Sequence, residues 1–340
     1  MSKYSSSGVS VLVDGYDLTP VLVETVSRST EAITQATQPF GTASEAHTPV
    51  GIVKHTLSLG GALYDQAVDP MHPGKIAAGG VGESRLVVIA NEGQTKAKNF
   101  TGYEGAYSQK SEAVVTNGQL VKSNVTMQVS GTVDEGVILQ ELASKTIDWD
   151  TESTPVDAAD DPSSQHITIT SSSLANPSVI TTTNNHGLVT GDVVAIFDHA
   201  SVAPDINDNP TAAEVWKLIG HSITKTGDTT FTIPVNVTDA GTGGYCVVVS
   251  KAKGGVGYQQ VTQGSGLTAF VGKVRHSADN ITYADLITFT DTATDFNAAE
   301  RKATATTTTR VERYLAYKGD VTGSVGATAF KVFGGLSRGV

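Results

Sequence analysis

The chain has 340 residues, a net charge of −11 and a single cysteine, Cys246. That charge argues against a basic surface for gripping nucleic-acid phosphates, and one cysteine excludes an intrachain disulfide. Gly, Ser, Thr and Val dominate and aromatic residues are only 6%, so a turn-rich all-β protein is expected rather than a helical bundle.

The length predicts two or three domains. No run approaches the ~20 apolar residues of a membrane-spanning helix, so no membrane partner is expected. The first residues, MSKYSSSGVSVLV, lack the apolar centre of a signal peptide. Folding in a reducing cytoplasm fits the cysteine usage.

Residues 1–150 read as one β-domain. Gly8 to Val13 is a short strand, Asp14-Gly15 a turn, and Leu18 to Val26 a second strand. Ser27 to Thr37 is polar and fits strand or helix. Gln38 to Tyr64 organises this part of the chain. Phe40 and Gly41 lead into a loop from Thr42 to Pro49, which also holds Glu45 and His47. Val50 to Tyr64 then alternates as a strand. Ile52, Lys54, Thr56 and Ser58 share one face, and Val53, His55, Leu57 and Leu59 share the other. Gly60-Gly61 permits a bend or bulge. A Gly/Pro-rich loop follows over Gln66 to Gly82, with Met71, His72 and Pro73 at its centre. Further strands are predicted over Arg85 to Ala90, Ala97 to Ser108 and Leu120 to Val129. The spacing of Val137, Ile138, Glu141, Leu142 and Lys145 predicts one short helix over Glu135 to Lys145.

Residues 151–165 form a polar, Asp/Pro-rich linker. Asp157, Asp160 and Asp161 do not have the spacing of a calcium loop. Residues 166–252 contain five or six short strands, the pattern of a small barrel or sandwich. Residues 253–340 hold six more strands, from Tyr258 to Thr262 through Thr328 to Gly334.

No catalytic motif is found in the chain. The eight histidines are scattered, with no HExxH motif and no Cys/His spacing for zinc. Gly241 to Gly244 lacks the Lys-Ser/Thr of a phosphate loop, and no GxSxG elbow occurs. Cys246 reads as a small core residue. Tyr103, Tyr107, Tyr283, Tyr314 and Tyr317 are either core aromatics or a sugar-binding face. No catalytic residue, metal site or cofactor is expected.

In their order, four features of residues 1–150 resemble the major tail tube protein of long-tailed, siphovirus-like bacteriophages. These are VLVDGYDLTPVLVE, the loop FGTASEAHTPVG, the strand KHTLSLGGALYD and a late helix. The middle unit, with NPSVITTTNNHGLVTGDVVAI, TTFTIPV and GTGGY, resembles a small β-module inserted in many phage structural proteins. VGKVRHSADNITYADLITFT and AERKATATTTTRVERYLAY resemble the C-terminal part of longer tube proteins, and also sugar-binding jelly rolls.

The resemblance implies a tail-tube-type β-sandwich or barrel plus added β-modules. It also implies a virion structural subunit, made and assembled in the host cytoplasm, whose rings stack around a negatively charged lumen for passing double-stranded DNA. A ring of three two-domain chains or of six chains fits, with the trimer preferred. Implied partners are other copies of the chain, a tape measure protein, a tail terminator and tail tip proteins. Phe40, Gly41, Thr42, Glu45, His47, Pro49, Met71, His72 and Pro73 become candidate inter-subunit contacts. Lys54, Thr56 and Ser58 become candidate lumen residues. A glycan-binding adhesin is the competing function, and an enzyme such as a glycosidase a third.

Overall fold

A computed structural model describes residues 9–20, 22–37, 46–63, 84–117, 121–145, 153–157, 167–200, 202–208, 220–250, 253–262, 269–277, 280–292, 297–322 and 330–339. The described residues form β-strands and no helix. Those up to residue 145 supply β1 (Ser10–Val13), β2 (Tyr16–Asp17), β3 (Leu22–Thr37), β4 (Ala46–Leu63), β5 (Ser84–Ala90), β6 (Asn99–Val114), β7 (Lys122–Val129) and β8 (Val133–Lys145). After β9 (Val156–Asp157) come β10 (Ile167–Ser172), β11 (Ser178–Thr182), β12 (Val193–Phe197), β13 (His221–Ser222), β14 (Thr224–Lys225), β15 (Thr230–Ile233) and β16 (Tyr245–Ser250). The last group is β17 (Gly255–Thr262), β18 (Ala269–Ser277), β19 (Ala284–Thr288), β20 (Ala298–Ala303), β21 (Tyr314–Thr322) and β22 (Phe330–Arg338).

One sheet runs β2-β1-β5-β6-β8-β22-β17-β20, so strands from both ends of the chain share it. It begins at a two-residue turn. Asp14 and Gly15 both have positive φ, 49° and 82°, which suits a tight hairpin between right-twisted strands. Gly15 is required there for a second reason. A Cβ on it would stand 2.5 Å from Ala298 N and from Val261 O. The turn therefore lies directly on β17 and β20, and the Gly15 N–H donates to Gln260 Oε1. The two ends of the sheet thus meet, and the sheet curls into a near-barrel.

Side-chain alternation divides the interior into three cores. Leu12, Val88, Phe100, Ile138, Tyr258 and Phe333 fill the inside of the curl. Val11, Val13, Val87 and Ile89 point the other way, onto Leu57, Leu59, Val125 and Met127. There the branch β3-β4-β7, joined to the main sheet through β6, lies over the N-terminal half. Leu139, Val261, Val332 and Leu336 pack outward against Phe270, Val274, Ile287 and Leu315. Those last four belong to a four-stranded sheet, β19-β18-β21-β9.

The helix expected over Glu135 to Lys145 is strand β8. It pairs with β6 on one edge and β22 on the other. Ile138 enters the inner core and Leu139 the C-terminal outer core, both fully buried. A strand buried on both faces shows a continuous apolar run, which periodicity does not separate from a buried helix. Gly136 lies against the neighbouring strand, where a Cβ would be 2.5 Å from Leu336 O.

The expected linker is partly docked. β9 pairs with β21, and Val156 is buried. The Ser153 N–H donates to Tyr317 O at 2.8 Å. Asp160 and Asp161 lie outside the described residues.

The described residues between 167 and 250 form a separate seven-stranded sheet, β13-β12-β16-β10-β11-β15-β14. It folds over its own core of Ile169, Ile180, Ile196, Phe231 and Cys246. Burial pushes the Cys246 thiol up to about 12, so it is un-ionised at neutral pH and behaves as a core residue.

A polar strut ties the two halves of the curled sheet. The Tyr258 hydroxyl donates to Asp134 Oδ2 at 2.5 Å, and Arg301 Nε donates to the same oxygen at 2.9 Å. Arg301 also pairs with Glu104 at 3.1 Å. Burial and the adjacent Asp134 push the Tyr258 phenol far above its ordinary range. The ring stands edge-on to Phe100 at 5.3 Å and covers Gly102, where a Cβ would fall 2.3 Å from the ring. Held at both ends, the ring has little room to retreat. Gly102→Ala is therefore expected to cost about 1–3 kcal/mol of stability by overpacking, as measured by urea denaturation.

Candidate functional site

The feature that the packing of the described residues does not account for is the hairpin β3–β4. Its strands are 16 and 18 residues long. They pair from Leu22↔Ala62 to Thr37↔Ala46. β7 supports β4 only from His55↔Val129 to Leu63↔Lys122. Beyond His55 the hairpin is a two-stranded arm. Along its whole length β3 pairs only with β4 among the described strands. Thr25 and the residues from Ser27 to Ala32 are exposed, and only Val26 between them turns partly into the core.

The alternation expected for β4 is present. Leu57 and Leu59 are buried, whereas Lys54 is exposed and Thr56 and Ser58 are half-buried on the opposite face. The apolar face leaves the core along the arm, and Val53 is 52% exposed. The glycine bend is a bulge. Register shifts between Leu59 and Ala62, and Gly61 has φ 77°. Asn124 Oδ1 accepts the Gly61 N–H at 2.9 Å.

Lys54, Thr56 and Ser58 therefore share one polar face, where Thr126 Oγ1 lies 3.5 Å from Ser58 Oγ. His47 and Pro49 are in β4 rather than a loop, opposite Ala36 and Thr34. The loop shortens because strand pairing continues out to Ala46. Phe40, Gly41, Thr42, Glu45, Met71, His72 and Pro73 lie outside the described residues.

At the base of the arm, where it leaves the main sheet, is a cleft of about 310 Å³. Arg28, Thr30 and His55 come from the hairpin, Thr101 and Tyr103 from β6, and Glu135 from β8. Arg28 Nη1 donates to Thr101 Oγ1 at 3.0 Å. His55 Nδ1 meets Thr30 Oγ1 at 3.1 Å. Burial raises the Tyr103 phenol, opposed by the Arg28 guanidinium beside it. Sequence reasoning missed this group. Arg28 falls in a segment readable as strand or helix, and Glu135 in the segment expected to be helical.

Of the tyrosines considered for sugar binding, Tyr103, Tyr314 and Tyr317 are buried in the cores. Among the described residues no three His, Cys, Asp or Glu side chains come together as a metal site would require. His199 instead bridges Gly243 O and Ser172 Oγ, at 2.6 and 2.9 Å.

No protein-family model and no curated protein matches the chain. Solved structures align weakly. The tail of an empty gene transfer agent particle, from a helical refinement with C6 symmetry, is 11% identical over 39% of this chain and 97% of that one, with a TM-score of 0.29. The anti-feeding prophage baseplate is 10% identical over 40% and 97%, with a TM-score of 0.25. The Dit protein of phage SPP1 is 9% identical over 96% and 98%, with a TM-score of 0.27. Likeness at this level says nothing of function.

The two faces of β4 give opposite mutational outcomes. Leu57→Ala should cost about 2–5 kcal/mol through the cavity it leaves. Thr56→Ala, on the polar face, should stay within about 0.5 kcal/mol of the parent. Chemical denaturation of the two variants checks the assignment.

Proposed function

We propose that this chain is the structural subunit of a bacteriophage tail tube. Copies close into a ring, rings stack into a tube in the virion tail, and the lumen passes double-stranded DNA into the host. The observation that supports this best is the outer edge of β3, which among the described strands pairs only with β4. A long exposed strand edge is an invitation to pair with another chain, and a closed ring of such pairings leaves no edge open. The contact is heterologous, one edge meeting a different edge of the next copy, and it closes around an axis.

On this reading the polar face of β3–β4 is the lumen wall. Thr56, Ser58, Thr126 and Gln128 give it hydroxyl and amide groups, and Glu31 stands opposite Lys54. Such a face offers phosphates few cations to pair with, so DNA passes without being held. The lumen is thus more neutral than the chain's net charge suggests.

Residues 1–150 and 253–340 build the wall together, and residues 166–252 decorate the outside. Two covering sheets, β3-β4-β7 and β19-β18-β21-β9, lie over the two halves of one curled sheet. That duplication favours a ring of three chains with pseudo-sixfold shape. A tape measure, a terminator and tip proteins then contact the lumen and the two ends of the tube, and assembly takes place in the host cytoplasm before the tail joins the virion. The adhesin reading is not favoured, since three of its five candidate tyrosines are core residues.

Electron microscopy of the purified protein tests the reading. Rings or tubes of fixed diameter with three chains per ring are expected. Six chains per ring would overturn the trimer alone. Dispersed monomers at every concentration would overturn the tube.

A further inference from the structure

The cleft at the base of the β3–β4 arm sets two facing walls against each other. On the arm, Arg28 stands opposite Leu57 and Thr30 opposite His55, so these side chains share the arm's inward face. On the main sheet, Thr101 stands opposite Glu135 and Tyr103 opposite Val133, and all four line the cleft. The charges on the two walls are present but not joined. Arg28 gives one guanidinium nitrogen to Thr101 Oγ1 and lies beside the Tyr103 phenol. Among the described residues it makes no ion pair with Glu135, whose carboxylate accepts no hydrogen bond there. His55 Nδ1 meets Thr30 Oγ1 at 3.1 Å, and its Nε2 has no hydrogen-bond partner among the described residues.

We infer that this cleft binds a small zwitterion, a free polar α-amino acid, with its carboxylate on Arg28 and His55 and its ammonium on Glu135. The inference goes beyond the tube reading and does not depend on it. The lining disfavours the simpler ligands. A plain anion meets the Glu135 carboxylate, a plain cation meets the Arg28 guanidinium, and like charges placed together are costly. A neutral sugar leaves both charges unanswered, and the Tyr103 ring, which could stack on it, is only 5% exposed. An α-amino acid carries both charges on one carbon, so a single molecule answers both walls. The guanidinium fork matches a carboxylate through two parallel N–H donors. The Thr30 hydroxyl is at hand for a polar side chain, and Val133 offers little apolar surface to a larger one. A volume of about 310 Å³ lies at the small end of the roughly 300–1,000 Å³ range of small-molecule clefts. Arg28 belongs to β3 and Glu135 to β8, so a bound molecule also ties the arm to the main sheet.

Ligand-observed NMR on the dispersed full-length protein tests this, with L-serine as the probe. Saturable binding of L-serine is expected. Its methyl ester, which lacks the carboxylate, and its N-acetyl form, which lacks the ammonium, should each bind about tenfold more weakly or worse. Arg28→Gln and Glu135→Gln should each weaken L-serine binding by a similar factor. Lys225→Gln, in the separate sheet of the middle of the chain, should leave it unchanged. Arg28 and Glu135 are both exposed, so thermal melting should show the variants folded, and the two serine derivatives test the parent protein whether or not they are. No saturable binding of L-serine would overturn the inference. So would a methyl ester or an N-acetyl form that binds as well as serine, or variants that are folded and bind like the parent. Acetate that displaces serine equally well would reduce the site to one for an adventitious ion only, and glucose that does so would make it a site for polyols; either overturns the zwitterion. None of these results bears on whether the chain forms tubes, which electron microscopy reads separately.

Discussion

Strand β8 lies between β6 and β22, and the rest of the molecule depends on that position. It is the point at which a chain of many short strands becomes one body. Ser337 Oγ donates to Glu135 O at 2.7 Å across a separation of 202 residues. Backbone pairing on both edges of β8 makes the first and last thirds of the chain a single curled sheet. The inner core then closes around Phe100, Tyr258 and Phe333, whose rings meet edge-on. Loop-closure entropy opposes such distant pairings. They hold here because β8 is buried on both faces, so its apolar residues contribute to two cores at once.

The welded sheet gives the β3–β4 arm something rigid to project from. β4 is anchored through Leu57 and Leu59, and β7 supports it to His55. Past that residue, backbone pairing with β3 is its only sheet contact among the described residues. An arm of this kind does not repay its ordering within one molecule, because the exposed residues of β3 bury little apolar surface. On the tube reading proposed above, its open edge is what another copy pairs with.

Much of the fold was legible in local chemistry. The Asp14-Gly15 turn, the two faces of β4, the bulge at Gly60-Gly61 and the buried Cys246 follow from residue type and alternation. What was not legible depends on distant partners. β8 reads as a helix because its apolar spacing fits both periods and β22 arrives from the far end of the chain. Val156 looks like a solitary apolar residue in a polar linker until β21 is beside it. The cleft draws Arg28, Tyr103 and Glu135 from three strands, and no spacing in the sequence links them. His47 and Pro49 read as loop rather than strand for a related reason. Polar residues, and even a proline, are tolerated in an edge hairpin that continues outward into solvent.

We propose that β3 is an unfinished strand which assembly completes. Amide hydrogen exchange, compared between dispersed protein and assembled particles, tests it directly. In the dispersed protein the outward-facing amides of β3 should exchange rapidly, while those of β8 and β22 are protected. On assembly the β3 amides should become protected and the β8 and β22 amides should not change. Equal, rapid exchange along β3 in both states would show that assembly leaves this edge open.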